Sequence, residues 1–258
     1  MRDRLDRLAE LLTEQVENLV LLDVVDSTHA MARRLIAGMD EEDQSLAATV
    51  IIADQQECGE GRGDRSWESP AGGLYLSWMQ SGIDSDTIAK LPMLAAAAAL
   101  SAVNTVGIAD ARIKWPNDIL VAGRKLAGMV VFARHGETNW ATVGLGLNIA
   151  TTPVLDDANG LQAVSLADVK PGDNPDTSRD TLISAFIGAL TRSLTDPAPA
   201  LASWRGNLLQ QPGDTVRVRL ASAKEVSGTL VAVSEEGFLR IGVNGDEQVI
   251  TGGDLIES

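Results

Sequence analysis

The sequence predicts an α+β fold: a mixed central sheet with helices packed on one side, followed by a small all-β unit. Three observations predict it. Apolar runs of strand length occur at 19–25, 47–54, 74–80 and 139–149, and helical spacing recurs at 3–17, 84–106 and 177–194. Beyond residue 212 the hydrophobic period changes to two, with short runs separated by turn residues. Between the two regimes stands Gln211-Pro212-Gly213-Asp214, a cluster of turn formers that divides the chain into domains of residues 1–211 and 212–258.

Leu5, Leu8, Leu12 and Val16 recur one helical turn apart with charges between them, which predicts an amphipathic helix over 3–17. A strand at 19–25 runs into Asp26-Ser27-Thr28, whose oxygens suit the N-cap of a helix from His29 to about Ala37. An acidic loop follows at 38–45, then strands at 47–54 and 74–80. The helix within 84–106 starts near Asp86, and its alanines at 95–99 read as buried. Residues 111–133 read as strand, turn, strand. A first strand at 111–115 ends at Pro116, which cannot donate a ladder hydrogen bond. Strands at 119–122 and 126–132 follow, separated by Gly123-Arg124. Next come a strand at 139–149, a loop at 151–164, a helix at 177–194 and a Pro-containing loop at 196–199. Trp204 lies in a short helix. Strands at 215–220, 226–233, 239–243 and 247–251 complete the chain.

Composition bounds the function. The 258 residues are 45% hydrophobic, enough to bury a core. The longest apolar run, 91–100, is short of a membrane span. A net charge of −15 repels nucleic-acid phosphate and anionic lipid, so neither is expected as a partner. One cysteine, Cys58, excludes an internal disulfide and fits a reducing, cytoplasmic setting. The charged opening Met1-Arg2-Asp3-Arg4 is unlike a signal peptide.

Two segments carry chemistry. One is Lys114-Trp115-Pro116-Asn117-Asp118, with Lys125 seven residues after Asp118 in Gly123-Arg124-Lys125-Leu126-Ala127-Gly128. The other is Gly59-Glu60-Gly61-Arg62-Gly63-Asp64-Arg65-Ser66-Trp67. Glycines let a backbone approach an anion and converge its N–H groups on it, and arginines clamp oxygens bidentately. Together these parts form an anion-binding apparatus.

With Asp26-Ser27-Thr28, Gln55 through Trp67, and Gly144-Leu145-Gly146-Leu147-Asn148, these segments resemble, in order, those of biotin–protein ligases, also called biotin–[acetyl-CoA-carboxylase] ligases. The resemblance spans roughly residues 20–258. It implies a catalytic domain similar to class II aminoacyl-tRNA synthetases and an SH3-like C-terminal barrel. It implies ATP and biotin as substrates, Mg²⁺, biotinyl-5′-AMP as intermediate, and a biotin carboxyl carrier domain as acceptor. Members occur as monomers or homodimers. Some carry an N-terminal DNA-binding winged helix; only about twenty residues precede the first motif here, so a stand-alone ligase is expected.

The resemblance assigns roles residue by residue. Lys125 is the first choice for the catalytic cation, with Arg62 and Lys114 beside it. Ser27, Thr28, Gln55, Gly59, Gly61, Arg62, Lys125 and Gly128 are expected around biotin. Arg65, Trp67, Lys114, Asn117 and Asn148 are expected around the nucleotide, and Asp118 at Mg²⁺. Several have ordinary structural readings too: helix capping for Ser27 and Thr28, strand-end packing for Gln55, turn formation for Asn117 and Asp118, strand termination for Asn148. Two departures stand out. Glu60 occupies a position where the family carries Arg, which is tolerable if its carboxylate faces solvent, and His29 stands where Asn is usual. Two other readings stand beside the ligase: a lipoate or octanoate transferase on a similar fold, against which the complete Lys114–Asp118 element and the C-terminal barrel speak, and a catalytically weakened biotin sensor, which only Glu60 and His29 support.

Overall fold

A computed structural model describes residues 2–42, 45–63, 65–154, 161–172 and 174–256. A seven-stranded sheet forms the larger part, in the order β1-β2-β3-β7-β6-β5-β4. Its strands are β1 (Asn18–Val25), β2 (Thr49–Gln56), β3 (Leu74–Ser81), β4 (Arg112–Lys114), β5 (Asp118–Val121), β6 (Arg124–Arg134) and β7 (Trp140–Leu147). β1 and β2 pair in parallel, and the other neighbours pair antiparallel. Parallel neighbours need a crossover, and helix α2 (Thr28–Glu41) supplies it. The sheet is therefore mixed, as expected.

The burial of β2 shows how the layers are arranged. Successive side chains of a strand point to opposite faces. Val50 and Ile52 join the main core with α3 (Ser85–Thr105) and α5 (Pro175–Thr195), whereas Ile51 packs with Ala32 and Ile36 of α2, Met79 and Trp140. So α2 covers one face and α3 and α5 the other, which corrects the expectation of helices on a single side. Helix α1 (Arg2–Leu12) rests on α5, with Leu8 and Leu12 fully buried. Asp54 at the end of β2 pairs with both Arg4 of α1 and Arg179 of α5, tying the two helices to the sheet.

Several boundaries differ from expectation for identifiable reasons. α1 ends at Leu12, leaving Val16 packed on the core from a turn. α2 continues through residues 38–41, which the acidic composition had suggested were loop. α4 (Leu166–Val169) lies beyond the predicted loop and is held by a capping box between Ser165 and Asp168. Residues 155–160 of that loop lie outside the described residues. The prolines at 197–199 open helix α6 (Pro197–Gly206) rather than forming a loop, because Pro at the first helical position forfeits no hydrogen bond. α3 has the length and mean hydropathy (1.3) of a membrane span, but 67% of its apolar window is buried inside the protein as core.

The C-terminal part is a five-stranded antiparallel sheet in the order β11-β10-β9-β8-β12. It comprises β8 (Thr215–Arg219), β9 (Glu225–Val233), β10 (Leu239–Val243), β11 (Asp246–Ile250) and β12 (Asp254–Ile256). Four of these strands match the predicted runs; the three-residue β12 does not announce itself by periodicity. The β9–β10 turn docks this sheet onto the larger part. Trp115 Nε1 donates to the Gly237 carbonyl at 2.8 Å, and Gly237, at φ +82°, lies against Met93 and Trp204. A Cβ there would sit 2.8 Å from Met93 Sδ. Gly237→Ala should therefore cost about 1–2 kcal/mol through left-handed strain and the wedge against Met93. A lowered midpoint in urea would show it, and an unchanged midpoint would contradict this account of the joint.

Candidate active site

The site is built on a patch of sheet without side chains. Register aligns Lys114, Asp118, Gly128 and Gly146 in one row across β4, β5, β6 and β7, and residues in such a row share a face. Two of the four are glycines, and Trp67 lies on them. A Cβ at Gly146 would come within 2.4 Å of the indole, and one at Gly128 within 3.0 Å. Gly144, one pleat further along β7, plays the same part for His29, whose Nδ1 a Cβ would meet at 3.1 Å. The Gly144-Leu145-Gly146 spacing thus clears room for two rings on one face.

Above this floor Lys125 Nζ stands 5.2 Å from the Trp67 ring centroid and 2.9 Å from Asp118 Oδ1. Its side chain and that of Asp118 are only 16% and 19% exposed. The pair gains from this shelter, and cation–π attraction adds to it. The strand beneath Lys125 is fixed from behind. Lys125 N donates to Gln162 O at 2.7 Å and its carbonyl accepts from Val164 N at 3.0 Å. Asn148 Nδ2 donates to the carbonyls of Lys125 and Val164.

At the other end is a neutral polar chain. Ser77 Oγ donates to Thr28 Oγ1 at 3.0 Å, and Thr28 Oγ1 donates to Gln56 Oε1 at 3.1 Å. Gln56 Nε2 donates to Ser69 Oγ at 2.7 Å, and Ser69 Oγ donates to the Trp67 carbonyl at 2.9 Å. This relay ties the start of α2 to the end of the glycine loop. The loop itself is folded into a narrow hairpin. Gly61 N donates to Arg65 O and Trp67 N to Gly59 O, both at 2.7 Å. A Cβ at Gly59 would lie 2.3 Å from the Trp67 carbonyl, so only glycine fits at the neck. Arg62 pairs with Asp254 and donates to the Gly253 carbonyl, and Arg65 Nη2 reaches the same Asp254 Oδ1 at 3.0 Å. The C-terminal sheet is thereby latched to the loop.

These groups enclose a cavity of about 1280 Å³ lined by Ser27, Thr28, Gln56, Arg62, Arg65, Trp67, Asn117, Asp118, Lys125 and Gly128, among others. A second cavity of about 820 Å³ lies on the other side of the loop and is lined by Arg33, Met93, Trp115, Phe132, Trp204 and Phe238, with the loop as shared wall.

Most of the predicted site residues therefore meet, and four do not. Gly59 is buried at the neck of the loop, outside both cavity linings. Gln55 is exposed and outside both cavity linings; its neighbour Gln56 takes the place assigned to it, because alternation along β2 sends adjacent side chains to opposite faces. Lys114 is 5% exposed and lines neither cavity. Asn148 is 2% exposed, donates its amide to the backbone under Lys125 and lies outside both cavity linings. Ser27 combines both readings, accepting from Ala30 N at 3.2 Å as a cap while lining the cavity. Glu60 is only partly exposed and does not point freely to solvent; it pairs with Arg33 of α2 at 2.5 Å. Gln56, Ser77, Asp254 and Arg33 went unread in the sequence. Strand alternation could have found Gln56, but no local signal marks the others.

With the geometry in hand, comparison with known proteins is direct. Residues 21–148 match the biotin/lipoate A/B protein ligase family model. A biotin–[acetyl-CoA-carboxylase] ligase of Paracoccus denitrificans is 31% identical over 202 residues, covering 73% of this chain and 73% of that protein. A protein of the same description from Mycobacterium tuberculosis is 26% identical over 241 residues, covering 91% of this chain and 88% of its own length. In fold, the chain is similar to the biotin protein ligase from Aquifex aeolicus solved with biotin and ATP, at a TM-score of 0.72 and 23% identity over 93% of this chain and 97% of that one. Fold and site define a ligase of the α+β, two-sheet type. The chain belongs to the biotin/lipoate A/B protein ligase family.

Two predictions follow from this geometry. Gly146→Ala should fold but displace Trp67 from its floor, and so loosen the loop; trypsin cleavage after Arg62 and Arg65 should accelerate severalfold. The second concerns His29, which is 8% exposed, with Nδ1 buried and unpartnered among the described residues. Burial, and then the Arg33 charge, pull its pKa down to about 4. The unfolded chain therefore takes up a proton between about pH 6.5 and 4 that the native state refuses. The native advantage is complete above pH 6.5 and shrinks as pH falls through that window, by up to about 3 kcal/mol. Denaturant midpoints of His29→Asn should lack this part of the acid slope.

Proposed function

We propose that the chain activates biotin with ATP to biotinyl-5′-AMP and transfers the biotinyl group to a lysine of a biotin carboxyl carrier domain. The observation that carries this reading is the polarity of the larger cavity. Its Thr28–Gln56 end offers neutral donors and acceptors, which suit an uncharged ureido ring. Its Lys125 and arginine end offers cations, which suit a carboxylate becoming an acyl phosphate.

In the first step a biotin carboxylate oxygen attacks the α-phosphorus and pyrophosphate leaves. Lys125 holds the carboxylate and the α-phosphoryl oxygens together, so that two anions need not repel each other as they meet. Arg62 and Arg65 turn from Asp254 toward the phosphoryl oxygens, and Trp67, on its glycine floor, packs against the intermediate and helps keep water from the anhydride. In the second step the neutral amine of the acceptor lysine attacks the anhydride carbonyl carbon. AMP departs, and the nitrogen loses a proton as the amide forms. Gly59 and Gly61 contribute backbone, and Gly128, lacking a side chain, lets the Trp67 indole and Lys125 lie close against the sheet.

Mg²⁺ takes mostly phosphate and water oxygens, with one or two protein carboxylates. Among the described residues no group of three or more His, Cys, Asp or Glu is placed to hold a metal. A polyphosphate-borne ion fits that donor set, and Asp118, with Asn117, would hold it. Such an ion screens the triphosphate charge. We assign residues 1–211 to a catalytic domain and 212–258 to an SH3-like domain, and we place the protein in the cytoplasm.

Lys125→Ala should keep its fold and lose at least about a hundredfold in adenylate formation, the usual scale for removing such a charge contact. Pyrophosphate release with biotin and ATP, and the mass of a carrier domain after incubation, measure it. Near-normal activity would refute the assignment, and activity with lipoate in place of biotin would refute the substrate.

A further inference from the structure

Glu60 is a carboxylate in a loop otherwise built to grip anions, and it lines both cavities. It sits at the loop neck, where it bridges to Ser66, one residue before Gly61 and two before Arg62. An unopposed negative charge there would repel the phosphoryl group that Arg62 and Arg65 are expected to hold. The structure opposes it from an element remote in sequence. Arg33 Nη2 meets Glu60 Oε1 at 2.5 Å, and the Arg33 guanidinium stands 5.8 Å from the centroid of the Phe132 ring on β6. The ring and the carboxylate thus hold the guanidinium between them. Arg33 lines the smaller cavity and is absent from the lining of the larger one, so it meets Glu60 from the side away from Lys125 and Gln56.

We propose that Arg33 is a positioning residue for adenylate retention: it is the counter-ion that makes Glu60 compatible with an anion-binding loop. This rests on the functional reading above and adds to it a residue on α2. The pair is half exposed, with side chains 40% and 33% accessible, so it contributes little to global stability. Its effect falls on the ligand. Removing Arg33 leaves a bare charge at the wall of the site, which is sheltered enough for the field to reach a phosphoryl group one or two side chains away.

The test is a three-variant comparison in the full chain. Arg33→Ala should release biotinyl-AMP about tenfold faster and raise the KM for ATP, with kcat changed less than threefold. Glu60→Gln should retain the adenylate at least as well as the parent. Arg33→Ala combined with Glu60→Gln should behave like Glu60→Gln alone, because the charge that Arg33 masks is gone. Unchanged release in Arg33→Ala would overturn the proposal. So would a double variant as leaky as Arg33→Ala, since Arg33 would then act through shape or direct contact. Should the parent protein form no adenylate, the functional reading fails by itself. The counter-ion is then read from the affinity for inorganic pyrophosphate by calorimetry: the same ordering of variants upholds it, and equal affinities overturn it.

Discussion

The rest of the site depends on a patch of β-sheet that carries no side chains. Gly128 and Gly146 face each other in register, and only their missing Cβ atoms let an indole lie within van der Waals reach of the backbone. Trp67 in turn gives Lys125 a ring to stand over, and Lys125 gives Asp118 its partner. Remove the floor and the ring lifts, the cation loses its bed, and the loop that ends at Trp67 loses its anchor. A close-packed interior transmits such a shift, because it has no slack in which to absorb it.

The second principle is that the glycine loop is hung between fixed elements. The glycine loop reaches three separate anchors. Its far end is bound through Ser69 and Gln56 to the start of α2. Its neck is drawn to α2 a second time through Glu60 and Arg33. Its arginines are held by Asp254 on the C-terminal sheet. One carboxylate holds both guanidiniums, so the two arginines are ordered together. The C-terminal sheet is thereby joined to the glycine loop as well as to the core, which it meets through the Trp115–Gly237 contact.

Much of this was legible in the sequence because it depends on local rules. The glycine-rich loop, the Pro116 turn and Lys125 on the following strand are all specified by residue type and spacing. The seven-residue interval from Asp118 to Lys125 becomes a hairpin that brings the two side chains to 2.9 Å. What was not legible depends on register or on distance along the chain. Gln55 and Gln56 are chemically identical neighbours, and only the pleat decides which one faces inward. Lys114 shares a row with Asp118, but the row runs out at the sheet edge, where it is covered by other parts of the protein. Asn148 looks like a ligand residue by motif, but its amide is consumed by two carbonyls that a linear reading cannot place beside it. Arg33 and Asp254 are 27 and 192 residues from their loop partners, beyond any spacing rule.

The indole on the glycine floor has one more consequence. Of the five tryptophans, Trp78 and Trp140 are buried in the core at no more than 1% exposure, and Trp115 and Trp204, 3% and 1% exposed, line the smaller cavity. Trp67 alone lies beside an ammonium group inside the larger cavity. The protein thus carries one indole in the wall of the larger cavity, whose fluorescence reports on that cavity against Trp78 and Trp140, which line neither cavity.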